Sequence, residues 1–424
     1  MINFANVKLW DNLVGVLSWD AASGVASFEY EQKFIQKGLN IAPIKMPLAA
    51  DRIYSFAELN KKTFKGLPGL LLDSLPDKFG NALINEWLAR QGRAPDSYNS
   101  VERLLYQGKR SMGALEFEPA QKIIQNTSSK IELEELIFAA NKILSQTTKF
   151  TSKDNEALSQ IIKVGTSAGG ARAKAVIAYN EKTREVRSGQ AAAPKGFSHW
   201  LLKLDAVEDK TLDNIEHFGR IEYAYYKMAV LCKIEMSQSR LFEENGRFHF
   251  MTRRFDRVGN AEKLHTQTLC ALEHFDFNAS GAYSYEQIFQ TIRSLKLPYN
   301  AAEQIYRRMI FNASARNQDD HTKNFSFIMD KTGAWSLAPA YDMVYAYNPL
   351  RQHTSQHQLS INGKRDNFVK NDFMKVAQAM GVKKADEIIE EVINAVSQWD
   401  KIAKQIDIPS EQIKTIKKAH RLKI

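Results

Sequence analysis

Cysteine is almost missing from this chain, with Cys232 and Cys270 the only two in 424 residues. They lie far apart, lack the paired spacing of a zinc site and fall in helix-like stretches. A disulfide framework and a structural zinc are therefore excluded, and two buried thiols in a reducing compartment are expected. No apolar run approaches the roughly 18 residues that a membrane span needs. The start, MINFANVKLWDNLVG, has no basic segment followed by an apolar one. Neither export nor membrane insertion is expected, and the cytoplasm is the expected location. Gly-x-Ser-x-Gly and Cys/His hydrolase motifs are absent, as are internal repeats and low-complexity tracts.

What is present is a globular composition, 44% apolar and 25% charged, enough to build a sizeable core. The net charge of +10 suits a polyanionic partner or a solvated basic surface equally well. Up to about residue 120 the pattern is α+β. VKLWDNLVGVLSWD reads as two strands around the turn Asp11-Asn12. In VASFEYE, Ala26, Phe28 and Tyr30 share one face. A helix carries Leu83, Trp87 and Leu88. Residues 126–162 read as a polar loop or linker with one helix near 130–144. From 163 to 256 strands dominate, interrupted by a helix with the stripe Ile221, Ala224, Tyr225, Met228, Ala229 and Cys232. Beyond Phe255 the chain is mainly helical. Ile305, Met309, Ile310 and Ala313 form one face, and Phe373, Val376, Ala377 and Met380 another, closed by Gly381. Ile388, Ile389, Val392, Val396, Trp399 and Ala403 line a longer helix. A hairpin, FSFIMD and AWSLAP around Lys331-Thr332-Gly333, interrupts these helices. The outline is an α/β half followed by a mainly α half, with a boundary near 256.

Four stretches carry chemistry. VGTSAGGARAK, residues 164–174, has glycines that let backbone N–H groups approach an anion, although a tight turn between strands would use the same letters. Ala171-Arg172 stands where a Walker loop has Lys-Ser/Thr. Lys203, in the apolar run HWLLKLD, must snorkel or find an anion such as a phosphate. In NQDDHTKN, Asp319 and Asn324 have the Asp-x-x-x-x-Asn spacing of a kinase catalytic loop, with His321 and Lys323 beside them. Asp320 does not fit that spacing. Asp342, in SLAPAYDMV, lies beyond a short hairpin, where kinases place a metal-binding Asp, so Tyr341-Asp342-Met343 occupies the place of Asp-Phe-Gly. Asp and Asn oxygens suit Mg²⁺. His353 and His357 sit four apart with no obvious third ligand and read as a polar loop. The basic tail, with Lys414, Lys417, Lys418, His420, Arg421 and Lys423, reads as a solvated helix face or a DNA-phosphate patch.

In these motifs, and in FKGLPGLLLDSLPDKFG, YQGKRSMGALEFEP, RRFDR and LSING, the sequence resembles the HipA family of serine/threonine kinase toxins over nearly its whole length. The resemblance implies an α+β, two-lobed kinase-like fold. An extra N-terminal subdomain would occupy 1–125, a nucleotide-binding α/β lobe 126–256 and a mainly α-helical catalytic lobe 257–424. It implies ATP and Mg²⁺ as cofactors. Ser167, Ala168, Gly169, Gly170 and Lys174 would form the phosphate loop, Lys203 would contact phosphates, and the backbones of Arg253 and Phe255 would hold adenine. Asp319 would be catalytic with Lys203 and His321 assisting, and Asn324 and Asp342 would bind Mg²⁺. Ser167 would be the site of autophosphorylation, with Thr166 the competing acceptor. A HipB-like helix-turn-helix antitoxin, bound to DNA, is the implied partner, and a translation protein of the aminoacyl-tRNA synthetase class the implied substrate. Thr268 and Arg172 depart from residues common in the family, an acid and a glutamine respectively. Two other functions use the same letters: a small-molecule phosphotransferase on this fold, and a catalytically silent scaffold in a DNA complex.

Overall fold

The structure is a computed structural model that describes residues 2–120, 129–145, 155–164, 172–205, 207, 217–259 and 262–424. The chain forms two compact units. The first comprises Met1–Glu216, Phe242–Gln267 and Ile328–Ala334, and the second comprises His217–Leu241, Thr268–Phe327 and Trp335–Ile424.

In the first unit, alternation builds an antiparallel sheet. Ala5, Val7 and Leu9 are buried, and so are Ala26, Phe28 and Tyr30 as expected. The strand order is Ile53–Ser55, Val25–Tyr30, Asn12–Asp20, Phe4–Leu9, Leu115–Glu118. The first hairpin turns one residue earlier than the sequence suggests. Leu9 pairs with Asn12, which leaves Trp10 and Asp11 as the two turn residues, with φ of 47° and 63°. A two-residue turn that follows the strand twist needs positive φ at both positions. The Asn12 amide closes the turn, donating to the Trp10 carbonyl at 2.8 Å, and the Trp10 indole donates to the Lys263 carbonyl at 2.6 Å. Gly15 is obligatory, because a Cβ there would sit 2.1 Å from the Glu29 carbonyl oxygen.

A second sheet in this unit sets Val186–Ser188, Lys174–Tyr179, Ser198–Lys203 and Arg247–Arg253 side by side, antiparallel. Its core includes Ile177, Trp200, Leu202 and Met251, packed with the helices Lys78–Arg90, Leu133–Ser145 and Asn155–Val164. The last of these helices lies largely where a linker was expected. Ala157, Leu158, Ile161 and Ile162 form a buried stripe at helical spacing, hidden in the sequence by polar neighbours. The Ser/Thr-rich patch at 146–154 lies outside the described residues.

RRFDR supplies a buried charge cluster. Arg254 donates to both Asp256 oxygens at 2.8 and 2.7 Å, and Arg257 and the Gly113 N–H each donate to Asp256 Oδ2 at 2.7 Å. Burial alone would raise the Asp256 pKa, but the two guanidiniums hold it well below the carboxylate range.

The second unit is mainly helical. The helix Tyr299–Ala315 was expected to bury one face, yet it is enclosed nearly all round. Its polar side chains find partners inside. Gln304 donates to the Lys233 carbonyl at 3.0 Å, Arg307 to Glu391 at 2.7 Å and Arg308 to the Ala338 carbonyl at 2.8 Å. The expected long helix after residue 385 is two, Ala385–Val396 and Trp399–Gln405. At the break the Gln398 N–H bonds three residues back, to Ala395, at 3.1 Å, and the Ser397 hydroxyl donates to Asn394 at 2.7 Å. Gly381 caps its helix in the left-handed conformation, as expected. The basic tail divides. Lys414, Lys418 and Lys423 are exposed, whereas the Arg421 side chain is largely buried and pairs with Asp366, and His420 meets the Tyr225 hydroxyl at 3.0 Å. Tail residues are thus part of the packing, not only of a solvated face.

Cys232 and Cys270 are buried and form no disulfide, and burial pushes the Cys232 thiol up to about 12. Among the described residues no helix is long and apolar enough to cross a membrane.

Burial holds His199, His249, His265 and His420 neutral, with pKa values down at about 4. An unfolded chain takes up those protons near 6.5. It therefore binds more protons between pH 6.5 and 4, so stability rises with pH in that window and is lost on acidification. The loss is on the order of 3 kcal/mol per histidine at the acid end. Melting temperatures from pH 7.5 to 4.5 should fall from about 6.5 downward. A flat profile to pH 4.5 would contradict buried neutral imidazoles.

Candidate active site

The second unit gathers most of the acidic candidates. The helix Tyr299–Ala315 ends at Arg316, whose φ of 59° turns the chain out of the helix. Asn317 and Gln318 then run beside Ala346, with the Gln318 N–H donating to the Ala346 carbonyl at 3.1 Å. In this non-helical stretch Asp319 is half exposed, at 49% of its side chain, while its neighbour Asp320 is buried at 1%. The two neighbouring carboxylates have separate work.

Asp320 is fully occupied. Its Oδ2 accepts from Tyr285 Oη at 2.8 Å and lies 2.9 Å from His357 Nδ1, and its Oδ1 accepts from the Gln358 N–H at 2.8 Å. His357 is completely buried, so the segment read as a polar loop is in fact tied down here. Of the two carboxylates, Asp319 is the one left accessible.

Around Asp319, the amide nitrogen of Asn324 donates to the Asp319 carbonyl at 2.7 Å, which leaves the amide oxygen of Asn324 as an acceptor. Asn324 ends a 3₁₀ turn, Thr322–Asn324, anchored by the Thr322 hydroxyl on the Phe275 carbonyl at 3.1 Å. His321 Nε2 lies 3.9 Å from Asp319 Oδ1, and its ring meets the Phe277 ring edge-on at 5.5 Å. Lys323 Nζ lies 4.6 Å from the Phe277 centroid. The Asp319 carboxyl is held above its ordinary value, first by desolvation. His321 pulls it down, and Asp342 and Asp320 push it further up. Asp319 and Asp342 are therefore close enough to feel each other's charge.

Asp342 follows Tyr341, whose hydroxyl donates to the Lys323 carbonyl at 2.6 Å and contacts Ser326 Oγ at 2.5 Å. Asp342 itself has φ of 52°, in the left-handed region. Among the described residues no three His, Cys, Asp or Glu side chains converge as a metal cage. One carboxylate and one amide oxygen, Asp342 and Asn324, nevertheless suit Mg²⁺, which keeps waters and phosphate oxygens as its other ligands.

The remaining candidates belong to the first unit. Lys203 ends the strand Ser198–Lys203, opposite Lys174 on one side and Phe250 on the other, with its Nζ 5.7 Å from the Phe250 centroid. Lys174 is buried at 3% exposure, and its Nζ lies 3.4 Å from Asp77 Oδ2. Asp77 also caps the helix Lys78–Arg90, accepting from the Gly80 N–H at 2.7 Å. Lys174 thus has a carboxylate partner within its own unit. Arg253 is exposed at the end of its strand, and Phe255 is half buried two residues on. Gly165, Ser167, Ala168, Gly169 and Gly170 lie outside the described residues. Thr268 caps the helix Leu269–Glu273, its hydroxyl accepting from the Ala271 N–H at 3.1 Å.

Tyr285, Asn312, Asn317 and His357 were not singled out as site residues from the sequence. Only His357, through its spacing of four from His353, had drawn notice, and it was read as part of a polar loop.

Over residues 5–118 the chain matches the HipA N-terminal domain, and over residues 166–399 the HipA-like C-terminal domain. The chain belongs to the HipA family. Its fold is similar to that of HipA from Shewanella oneidensis MR-1, solved as a toxin–antitoxin complex with HipB and operator DNA. That match has a TM-score of 0.69 at 18% identity and covers 98% of this chain and 94% of that one. A Haemophilus influenzae protein that bears the provisional name of a kinase is 26% identical over 204 residues, 42% of this chain. The match spans 59% of that relative's length.

Asp320→Ala should cost about 3–5 kcal/mol, because it strands the Tyr285, His357 and Gln358 donors inside the protein. Asp319→Ala should change stability by less than about 1 kcal/mol. Urea denaturation of the two variants is the check, and equal losses would contradict the assigned division of labour.

Proposed function

We propose that this chain is a HipA-type kinase toxin that transfers the γ-phosphoryl group of ATP, with Mg²⁺, to a serine or threonine hydroxyl. The observation that carries the reading is the half-exposed Asp319, with Asn324 fastened to its carbonyl and Asp342 within electrostatic reach.

Asp319 accepts the proton of the substrate hydroxyl as its oxygen attacks the γ-phosphorus, and ADP leaves. His321 steadies the Asp319 carboxylate. Asn324 and Asp342 hold Mg²⁺, which when bound neutralises charge on the phosphates. Lys203 contacts phosphate oxygens, and Ser167, Ala168, Gly169, Gly170 and Lys174 supply the phosphate loop. Release of Lys174 from Asp77 would be part of that role. Backbone groups at Arg253 and Phe255 hold adenine. The association of the Shewanella HipA with HipB and operator DNA supports a HipB-like antitoxin as partner, with DNA reached through that complex. The substrate is a translation protein of the aminoacyl-tRNA synthetase class. Ser167 takes phosphate from the enzyme itself, and the added charge would exclude ATP from the loop.

Asp319→Asn should keep the fold and ATP affinity and lower turnover by roughly 10²–10⁴-fold. Mass spectrometry of lysate proteins after incubation with Mg²⁺ and ATP reads both the acceptor class and the loss. Wild-type turnover in the variant would remove Asp319 from the mechanism, and phosphate found only on small molecules would replace a protein acceptor. Asp342→Ala should abolish Mg²⁺-dependent ATP binding in calorimetry, since the cation loses its anionic ligand. Unchanged binding would place the metal elsewhere.

A further inference from the structure

The buried carboxylate of Asp320 dictates the direction of a chain of hydrogen bonds that ends on Asp342. A carboxylate only accepts, so Tyr285 Oη must donate to it, at 2.8 Å. The Tyr285 oxygen is then an acceptor, and Asn312 Nδ2 donates to it at 2.9 Å. This turns Asn312 Oδ1 towards Asn317, whose Nδ2 donates to it at 3.0 Å. The second N–H of Asn317 reaches the main-chain carbonyl of Asp342 at 3.4 Å. Asn317 Nδ2 faces two oxygens that can only accept, so the orientation of its amide is fixed. Asp320, Tyr285, Asn312 and Asn317 are each no more than 2% exposed, so water does not compete for these bonds.

Two further features place Asn317 where it can act on Asp342. Its backbone is fixed on both sides, by its own N–H on the Asn312 carbonyl at 3.0 Å and by the Ala346 N–H on the Arg316 carbonyl at 3.0 Å. Asp342 holds a φ of 52°, in the left-handed region that residues with a Cβ adopt uncommonly.

We propose that Asn317 is a positioning residue. It holds the Asp342 backbone in the left-handed conformation, so that the Asp342 carboxylate is presented to the metal, and the Asp320–Tyr285–Asn312 chain orients its amide. The inference rests on Asp342 being a Mg²⁺ ligand.

The test is a Mg²⁺ titration of the binding of a non-hydrolysable ATP analogue to the full chain, with metal-free melting measured alongside. Asn317→Ala should raise the Mg²⁺ concentration for half-maximal binding by about 10–100-fold, the usual effect of losing a group that orients a metal ligand. Tyr285→Phe, which removes one hydroxyl and keeps the ring, should raise it in the same direction by less. Asn317→Ser, which keeps a donor, should restore part of the loss. A role in stability alone would lower the melting temperature and leave the metal midpoint where it was, and that result overturns the proposal. Should Asn317→Ala fail to fold, the Tyr285→Phe midpoint decides in the same way. If the wild type shows no Mg²⁺-dependent binding, the kinase reading fails and this inference with it. Normal wild-type binding with unmoved variant midpoints overturns the positioning role alone.

Discussion

A carboxylate buried beside a half-exposed one is the constraint on which the second unit's site depends. Desolvating Asp320 would cost several kcal/mol unless donors surround it. The protein supplies Tyr285 from the helix Tyr285–Ser294, and His357 and the Gln358 N–H from the segment beyond Asp342. These donors come from widely separated parts of the sequence, so satisfying one charge draws three stretches together. Asp319, its neighbour in the chain, is left half exposed.

The first unit manages charge by the same rule. Asp256 is shared by Arg254, Arg257 and the Gly113 N–H, and it joins the strand end at Arg253 to the turn before Leu115–Glu118. Lys174 faces Asp77, which also caps a helix. Breaking either arrangement would leave an uncompensated buried charge, a loss of about 3–5 kcal/mol. Both fall in stretches that a motif reading assigns to the nucleotide. In RRFDR only Arg253 and Phe255 remain outside the buried cluster, so one short motif contains a structural half and a candidate binding half.

The family assignment and these geometries support each other without being the same argument. The HipA domains fix the kinship of the chain. Asp319, Asn324 and Asp342 are the residues through which the proposed chemistry would run. The half-exposed carboxylate and the left-handed aspartate are features of this chain's own backbone.

The sequence by itself determined the family, the alternating strands of the first sheet, the helix stripes and the candidate residues Asp319, Asn324 and Asp342. Periodicity and motif spacing are local properties, and they are legible wherever one face is apolar and the other polar. The sequence also favoured Asp319 over Asp320, through a spacing of five residues to Asn324. It misplaced the first hairpin's turn by one residue, because Asn12 closes that turn instead of occupying it. It concealed the helix Asn155–Val164, whose apolar stripe is short and flanked by polar residues. Reading one apolar face on Tyr299–Ala315 failed because buried arginines, amides and a glutamine look like solvent-facing residues until their partners are known. His357 passed as a loop letter for the same reason, and Tyr285 and Asn317 drew no reading of their own. Only tertiary structure decided them, because a hydrogen bond between residues 320 and 357 leaves no periodic trace in the chain, whereas the cost of an unpaired buried charge compels it.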